Sequence, residues 1–253
     1  MNVTFLGTGT STGVPQIGCH CPVCSSADKR DRRLRSSALV QVDGLNILID
    51  AGPDFRQQML DAEAPPVDAL LLTHSHYDHV GGIDDMRPYC AVVPMPVYCR
   101  PDVDADLRAR IPYCFAEHLY PGVPTFSMHD IHDLKPFNIK DLTVLPLPVM
   151  HARLPILGFR IRNFAYITDC KFLPDSTIDA LKGIDTLVIN ALRIKPHLSH
   201  ISLSQALDYI SLIKPRIAYL THISHQMGLH ADVEKILPPN VRLAYDGLKI
   251  SVP

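Results

Sequence analysis

The amino-acid sequence predicts a layered α/β protein, with two β-sheets packed together and helices outside. Three observations carry that prediction. The apolar runs are short and rich in Val, Ile and Leu. They outnumber the helical patterns yet interleave with them along the whole chain. Several of them end abruptly in a single Asp or His. Short apolar runs between turn residues read as strands, and 3.6-residue spacing reads as helix. No shift in composition marks a second domain, so residues 1–253 are expected to form one domain with a substantial buried core.

In order, the predicted strands are VTFL (3–6), ALVQV (38–42), NILI (46–49), DALLL (68–72), LTVLPL (142–147), GFRI (158–161), FAYI (164–167), TLVI (186–189) and IAYL (217–220). Helical patterns occupy DFRQQMLDA (54–62), DVDADLRARI (102–111), SLSQALDYISLI (202–213) and DVEKIL (232–237). Ser202 followed by Gln205 is a capping box, which starts the third helix just after Ile201. Pro136, Pro146, Pro148, Pro155, Pro196 and Pro215 are expected in the intervening loops.

Hydrophobic residues make up 47% of the chain and charged residues 20%, a globular balance. A net charge of −2 gives no general electrostatic reason for binding nucleic acid or an anionic membrane. No apolar run approaches the roughly 20 residues that span a bilayer, and MNVTFLGTGTSTG lacks the basic and apolar regions of a secretory signal. A soluble, cytoplasmic protein is the expectation. In a reducing compartment the seven cysteines favour metal ligation or inert burial over disulfides.

The thirteen histidines fall in short groups at the ends of apolar runs. The densest is THSHYDHVGG, which holds His74, His76, Asp78 and His79. Alternation in an extended segment points His74 and His76 the same way, so both rings can bind one ion. Asp78 and His79 lie just beyond, within reach of a second. Mixed imidazole and carboxylate donors suit zinc, manganese or iron. FAYITD, LPVMH and IAYLTH each deliver one further Asp or His at a strand end. Strand-end loops on a rigid scaffold are where chemistry collects.

The H-x-H-x-D-H pattern with its trailing Gly81-Gly82 resembles the signature of the metallo-β-lactamase superfamily, and the resemblance runs along most of the chain. It implies a four-layer αββα sandwich of two mixed β-sheets flanked by helices. It also implies a dinuclear centre. One ion would take His74, His76 and His151; the other would take Asp78, His79 and His222; Asp169 would bridge them. Asp50 in LIDAG matches a carboxylate that supports the ligands. Two bridged cations can hold a hydroxide at neutral pH and polarise a phosphoryl or carbonyl oxygen. The superfamily includes thioesterases, lactonases, ribonucleases and phosphodiesterases, so fold alone does not choose the substrate.

A second cluster, GCHCPVC, places Cys19, Cys21 and Cys24 within six residues. Structural zinc takes four ligands. Cys19 and Cys21 share a side, and in LTHISHQ His225 lies an odd offset beyond His222, turned elsewhere. His225 therefore serves as a reasonable fourth ligand, with His20 as the alternative. GTGTSTGVPQIGCHCPVC together with THISH resembles the phosphodiesterase of the bacterial carbon–phosphorus lyase pathway and its relatives. That resemblance implies two active-site ions, commonly manganese, and one structural zinc tying down an N-terminal excursion (about 13–35). It further implies a homodimer and hydrolysis of a cyclic phosphodiester such as a ribose 1,2-cyclic phosphate.

In HISLSQA, His200 matches a histidine thought to act as general acid in related phosphodiesterases and nucleases, and His197 is a competitor. A ring near its ordinary pKa of about 6.5 suits that role. KRDRRLR (29–35) reads as a solvated helical face because Asp28 and Asp31 break its charge. His118, His129, His132 and His230 read as surface residues, and Cys170 faces away from the ions. The function expected is a dinuclear-metal phosphodiesterase acting on small cyclic diesters through a metal-held hydroxide. An RNA-processing nuclease of the same superfamily is the alternative, although no Gly/Pro-rich insertion resembling a transfer-RNA-gripping arm is present. A non-catalytic metal-binding scaffold is the third reading.

Overall fold

The computed structural model describes residues 1–253 as two seven-stranded mixed sheets with helices on their outer faces. The first sheet contains β1 (Asn2–Gly7), β2 (Ser37–Val42), β3 (Leu45–Ile49), β4 (Ala69–Leu71), β5 (Met95–Cys99) and β6 (Phe126–Asp130). The second contains β7 (Phe137–Ile139), β8 (Leu142–His151), β9 (Leu154–Ile161), β10 (Phe164–Ile167), β11 (Thr186–Asn190), β12 (Ile217–Thr221) and β13 (Val241–Leu243). β14 (Lys249–Ser251) returns to the edge of the first. The strand orders are β14-β1-β2-β3-β4-β5-β6 and β13-β12-β11-β10-β9-β8-β7. Each sheet is antiparallel in one half and parallel in the other.

Alternation along the strands builds the layers. On β10, Phe164 and Tyr166 pack between the sheets with Phe5, Ile47, Leu71 and Phe159. Ala165 and Ile167 face the other way, against Ala206, Ile210 and Ile213 of α5. The helices are α1 (Phe55–Asp61), α2 (Tyr77–Val80), α3 (Pro101–Arg110), α4 (Asp175–Ala180), α5 (Leu203–Ile213) and α6 (His230–Glu234). α1 and α3 cover the outer face of the first sheet through Phe55, Met59, Val103 and Leu107. A strand buried on both faces needs apolar residues at every position, which explains the unbroken runs.

Several expectations are corrected. Pro146 and Pro148 lie inside β8 and Pro155 inside β9, not in loops. The two strands pair as a hairpin whose register keeps Pro146 opposite Phe159 and Pro148 opposite Leu157, and Pro148 and Pro155 hid its 148–157 portion. The last helix is His230–Glu234, earlier than 232–237, because His230 is buried at its start. The basic run is not a solvated helical face. Only Lys29–Asp31 form a 3-10 turn, and Asp31 and Arg33 are buried. The Arg33 guanidinium donates to Thr8 Oγ1 at 2.8 Å and to the Ala244 carbonyl at 2.6 Å. Asp31 accepts from Ser26 Oγ and from the His230 backbone. These bonds fasten the segment after the cysteines to the C-terminal part of the fold.

The ends of the parallel strands meet through two glycines. A Cβ on Gly52 would stand 2.1 Å from the Asp78 carbonyl, and one on Gly82 would stand 2.0 Å from the Gly52 carbonyl. Backbone bonds from Ala51 to His79 (2.8 Å) and from Gly82 to Ala51 (2.9 Å) close the same contact. Only glycine admits such close backbone approach. Gly82→Ala is therefore expected to lower the melting temperature and to weaken metal uptake, both read by calorimetry with and without added divalent ion. A variant that melts like the wild type in both conditions would refute this account of the contact.

Candidate metal centre

The strand ends place the predicted residues side by side. Asp50 follows β3, His74 follows β4, Asp169 follows β10, His222 follows β12, and His151 ends β8. Asp50, Asp169 and His222 have φ of 60°, 53° and 54°. The left-handed turn swings each side chain inward at a cost of about 1–3 kcal/mol, tolerable where the surrounding structure holds it. Asp78 and His79 come from the short α2, which sequence periodicity did not reveal.

The donor atoms of Asp78, His79, Asp169 and His222 all lie within 4.8 Å of one another, as do those of His151, Asp169 and His200. The His74 ring centroid is 4.6 Å from that of His76 and 5.8 Å from that of His151, and His76 is 5.2 Å from His151. Asp169 belongs to both donor clusters.

Asp50 organises this arrangement from beneath. It is fully buried and accepts from Thr73 N and Thr73 Oγ1 at 2.8 Å each and from His79 Nδ1 at 2.7 Å. Burial outweighs the opposing pull of His79 and of the Thr73 donors and raises its carboxyl above the ordinary value, while all three donors aim at its two oxygens. Since the Thr73 hydroxyl hydrogen is spent on Asp50, His74 Nδ1 must donate to Thr73 Oγ1 at 3.0 Å. That tautomer leaves His74 Nε2 bare, buried and without a partner. His79 Nε2 lies 3.1 Å from Asp169 and 3.3 Å from Asp78 without hydrogen-bond geometry. His151 Nδ1 donates to the Ser199 carbonyl at 3.0 Å, which leaves its Nε2 free. Orphaned ring nitrogens crowded onto carboxylates, with their opposite nitrogens anchored, are what metal ligation requires. The residues fit a divalent metal.

Charge follows the same pattern. Burial lowers His74 well below its ordinary pKa, with help from His79, and also lowers His76 and His222. His79 goes the other way, raised well above its usual value because Asp169, Asp50 and Asp78 surround it and outweigh burial. His200 departs from expectation. Buried with Nδ1 3.8 Å from Asp169 and without a partner, it is pushed down to about 3 by desolvation and His222.

The cysteine clasp assembles as well. Cys19, Cys21 and Cys24 Sγ lie 3.2, 3.4 and 3.5 Å from His225 Nδ1, while His20 is exposed and outside the cluster. His225 sits in a 3-10 turn rather than extended chain, so its divergence from His222 comes from that turn and the left-handed His222, not from strand alternation. Cys170 is buried in the outer core, facing away from the histidines.

Sequence reasoning missed the hydroxyls. Thr73, Thr168 and Thr221 each precede a His or Asp of the cluster, in LTH, ITD and LTH. Thr168 Oγ1 donates to Asp169 at 2.7 Å, and Thr10 Oγ1 lies 3.1 Å from His222 Nε2. The repeated Thr before a clustered His or Asp was the available signal.

The beta-lactamase superfamily domain matches residues 45–223. A crystal structure of a new diphosphatase from the PhnP family superposes with a TM-score of 0.92 at 38% identity, covering 100% of this chain and 98% of that one. Human tRNase Z, short form, superposes with a TM-score of 0.74 at 19% identity, covering 100% of both chains. An octanoyltransferase from Porphyromonas gingivalis is 46% identical over 251 residues, which are 98% of this chain and 51% of that protein. The chain thus spans about half the length of that relative.

Two measurements follow. In the metal-free protein the raised His79 contributes stability that is full below about pH 6.5 and is lost as pH rises through its folded pKa. An incoming ion must displace that proton, so affinity for manganese should climb with pH and release about one proton on binding; calorimetric affinity that is flat with pH would contradict this. For the clasp, His225→Ala should remove one zinc per chain and lower the melting temperature while the histidine cluster still takes up metal. Unchanged zinc content by emission spectrometry would exclude His225 as a ligand.

Proposed function

The chain belongs to the PhnP family of the metallo-β-lactamase superfamily of hydrolases, and on that footing we propose that it is a metal-dependent phosphodiesterase acting on small, preferably cyclic, phosphate diesters. One observation carries the reading: Asp169 is shared between the His79 and His222 cluster and the His151 cluster, which suits two adjacent ions. His74, His76 and His151 would hold one, Asp78, His79 and His222 the other, and the four residues of the clasp a structural zinc. When bound, two such ions supply an activated water and neutralise charge developing on a phosphoryl group.

The chain's own residues do the rest. Asp50 fixes the tautomers of His74 and His79. His200 is neutral, pushed down to about 3 by burial and His222; a phosphate anion beside it would raise its basicity so that it takes up a proton from solvent as substrate binds and passes that proton to the leaving alkoxide. The clasp has four protein ligands and no open position, so it serves structure. The partner is a small molecule and not nucleic acid, in keeping with a net charge of −2; a homodimer is part of the same proposal. No helix is long and apolar enough to cross a membrane.

A diphosphate diester is the second reading, favoured by the 38% identical diphosphatase; the attack at phosphorus and the ions needed are the same. The likeness to tRNase Z speaks to fold only, and the transferase name belongs to a protein twice as long. Metal-free protein reloaded with manganese or zinc should cleave bis(p-nitrophenyl) phosphate and leave the monoester intact. His200→Ala should slow diesters with poor alkoxide leaving groups by about 10²–10⁴-fold but spare p-nitrophenolate release. Failure on every diester and diphosphate with metal demonstrably bound would overturn the reading.

A further inference from the structure

The segment after Asp169 is built as a truss. Lys171 N donates to the Met150 carbonyl at 2.8 Å and Phe172 N to the same carbonyl at 3.1 Å, while Met150 N donates to the Phe172 carbonyl at 3.0 Å. Met150 immediately precedes His151. On the other side, Ile201 N donates to the Cys170 carbonyl at 2.9 Å, and Asn190 clamps Cys170 through bonds of 2.8 and 3.1 Å. Three consecutive residues thus connect the strand carrying His151 with the loop carrying His200.

The Lys171 side chain completes this connection. It is half-buried, and its Nζ donates to the His197 carbonyl at 2.7 Å and to the His200 carbonyl at 3.5 Å. The carbonyl between them, Ser199, accepts from His151 Nδ1 at 3.0 Å. The 197–200 loop has no regular structure of its own to hold the His197 and His200 carbonyls together. Such carbonyls repel unless a cation gathers them, and an ammonium with three donors on a charge-assisted bond does so. If the loop swings, the Ser199 carbonyl leaves His151, whose tautomer and ring direction are then unfixed, and His200 moves with it.

We propose that Lys171 is a positioning residue that holds the 197–200 loop over the site and thereby sets the His151 ring for metal and the His200 ring for substrate. This rests on the metal-centre reading above. It acts through His151 and His200 and touches neither ion nor substrate. Losing an outer partner of a ligating histidine typically costs 10–100-fold in metal affinity or activity.

Full-length wild type, Lys171→Met and Lys171→Arg, stripped and titrated with cobalt(II), test the proposal by d–d absorption, independently of turnover. Lys171→Met should melt within a few degrees of wild type and keep the clasp ion. Its cobalt affinity at the His151 side should fall about 10–100-fold, with an altered spectrum and a fall in kcat larger than any rise in KM. Lys171→Arg, which keeps a cationic donor, should recover much of both. If the methionine variant does not fold, Lys171→Gln, a shorter neutral donor, takes its place with the same expectation. Wild-type cobalt affinity and spectrum in the neutral variant, or a lower melting temperature alone, would overturn the proposal. Wild type that binds no cobalt beyond the clasp would instead overturn the metal-centre reading, so the two failures are distinguishable.

Discussion

Everything at the site depends on one buried carboxylate, Asp50. It has no exposure to solvent and spends its acceptors on Thr73 and His79. A carboxyl at that depth without partners would be costly, so the glycine contact between the 50–52 and 78–82 segments, which brings His79 within 2.7 Å, is a condition of its burial. From Asp50 two chains of orientation run outward, through Thr73 to His74 and through His79 toward Asp169. The apolar layers on both sides keep water from competing with these bonds. A buried polar network stays in place when its members are satisfied, and the ring nitrogens left without a partner, on His74, His79 and His200, belong to the histidine cluster.

The two-sheet sandwich could be read from the chain because its parallel strands are buried on both faces and appear as unbroken apolar runs. β3, β4, β10, β11 and β12 are of this kind. The missed strands are those whose burial is one-sided or partial. β6 has no fully buried residue, and β14 is exposed at both ends. β5, MPVYC, opens on a proline-punctuated stretch that masks its alternation. In β8 and β9 the prolines misled, since an antiparallel strand accepts them wherever no ladder donor is needed.

The site's residues were legible for a different reason. Asp and His residues at strand ends interrupt apolar runs with groups that have no structural excuse for being there, and H-x-H-x-D-H concentrates that signal. The supporting atoms left little trace. Ser199 contributes a carbonyl, which any residue has, and Lys171 looks like an ordinary lysine until the 197–200 loop is seen folded over it. Arg33 and His230 were misjudged because charge and loop context predict exposure, whereas the fold buries them against Thr8, Ala244 and each other. Pairing across about 200 residues of chain is invisible to local pattern.

The central claim is that Asp169 is shared by two metal positions, and anomalous diffraction from crystals grown in manganese tests it most directly. The account predicts two peaks a few ångströms apart, both within ligand distance of the Asp169 carboxylate, with His151 on one and His222 on the other. A single peak, or two peaks that do not share Asp169, would contradict it.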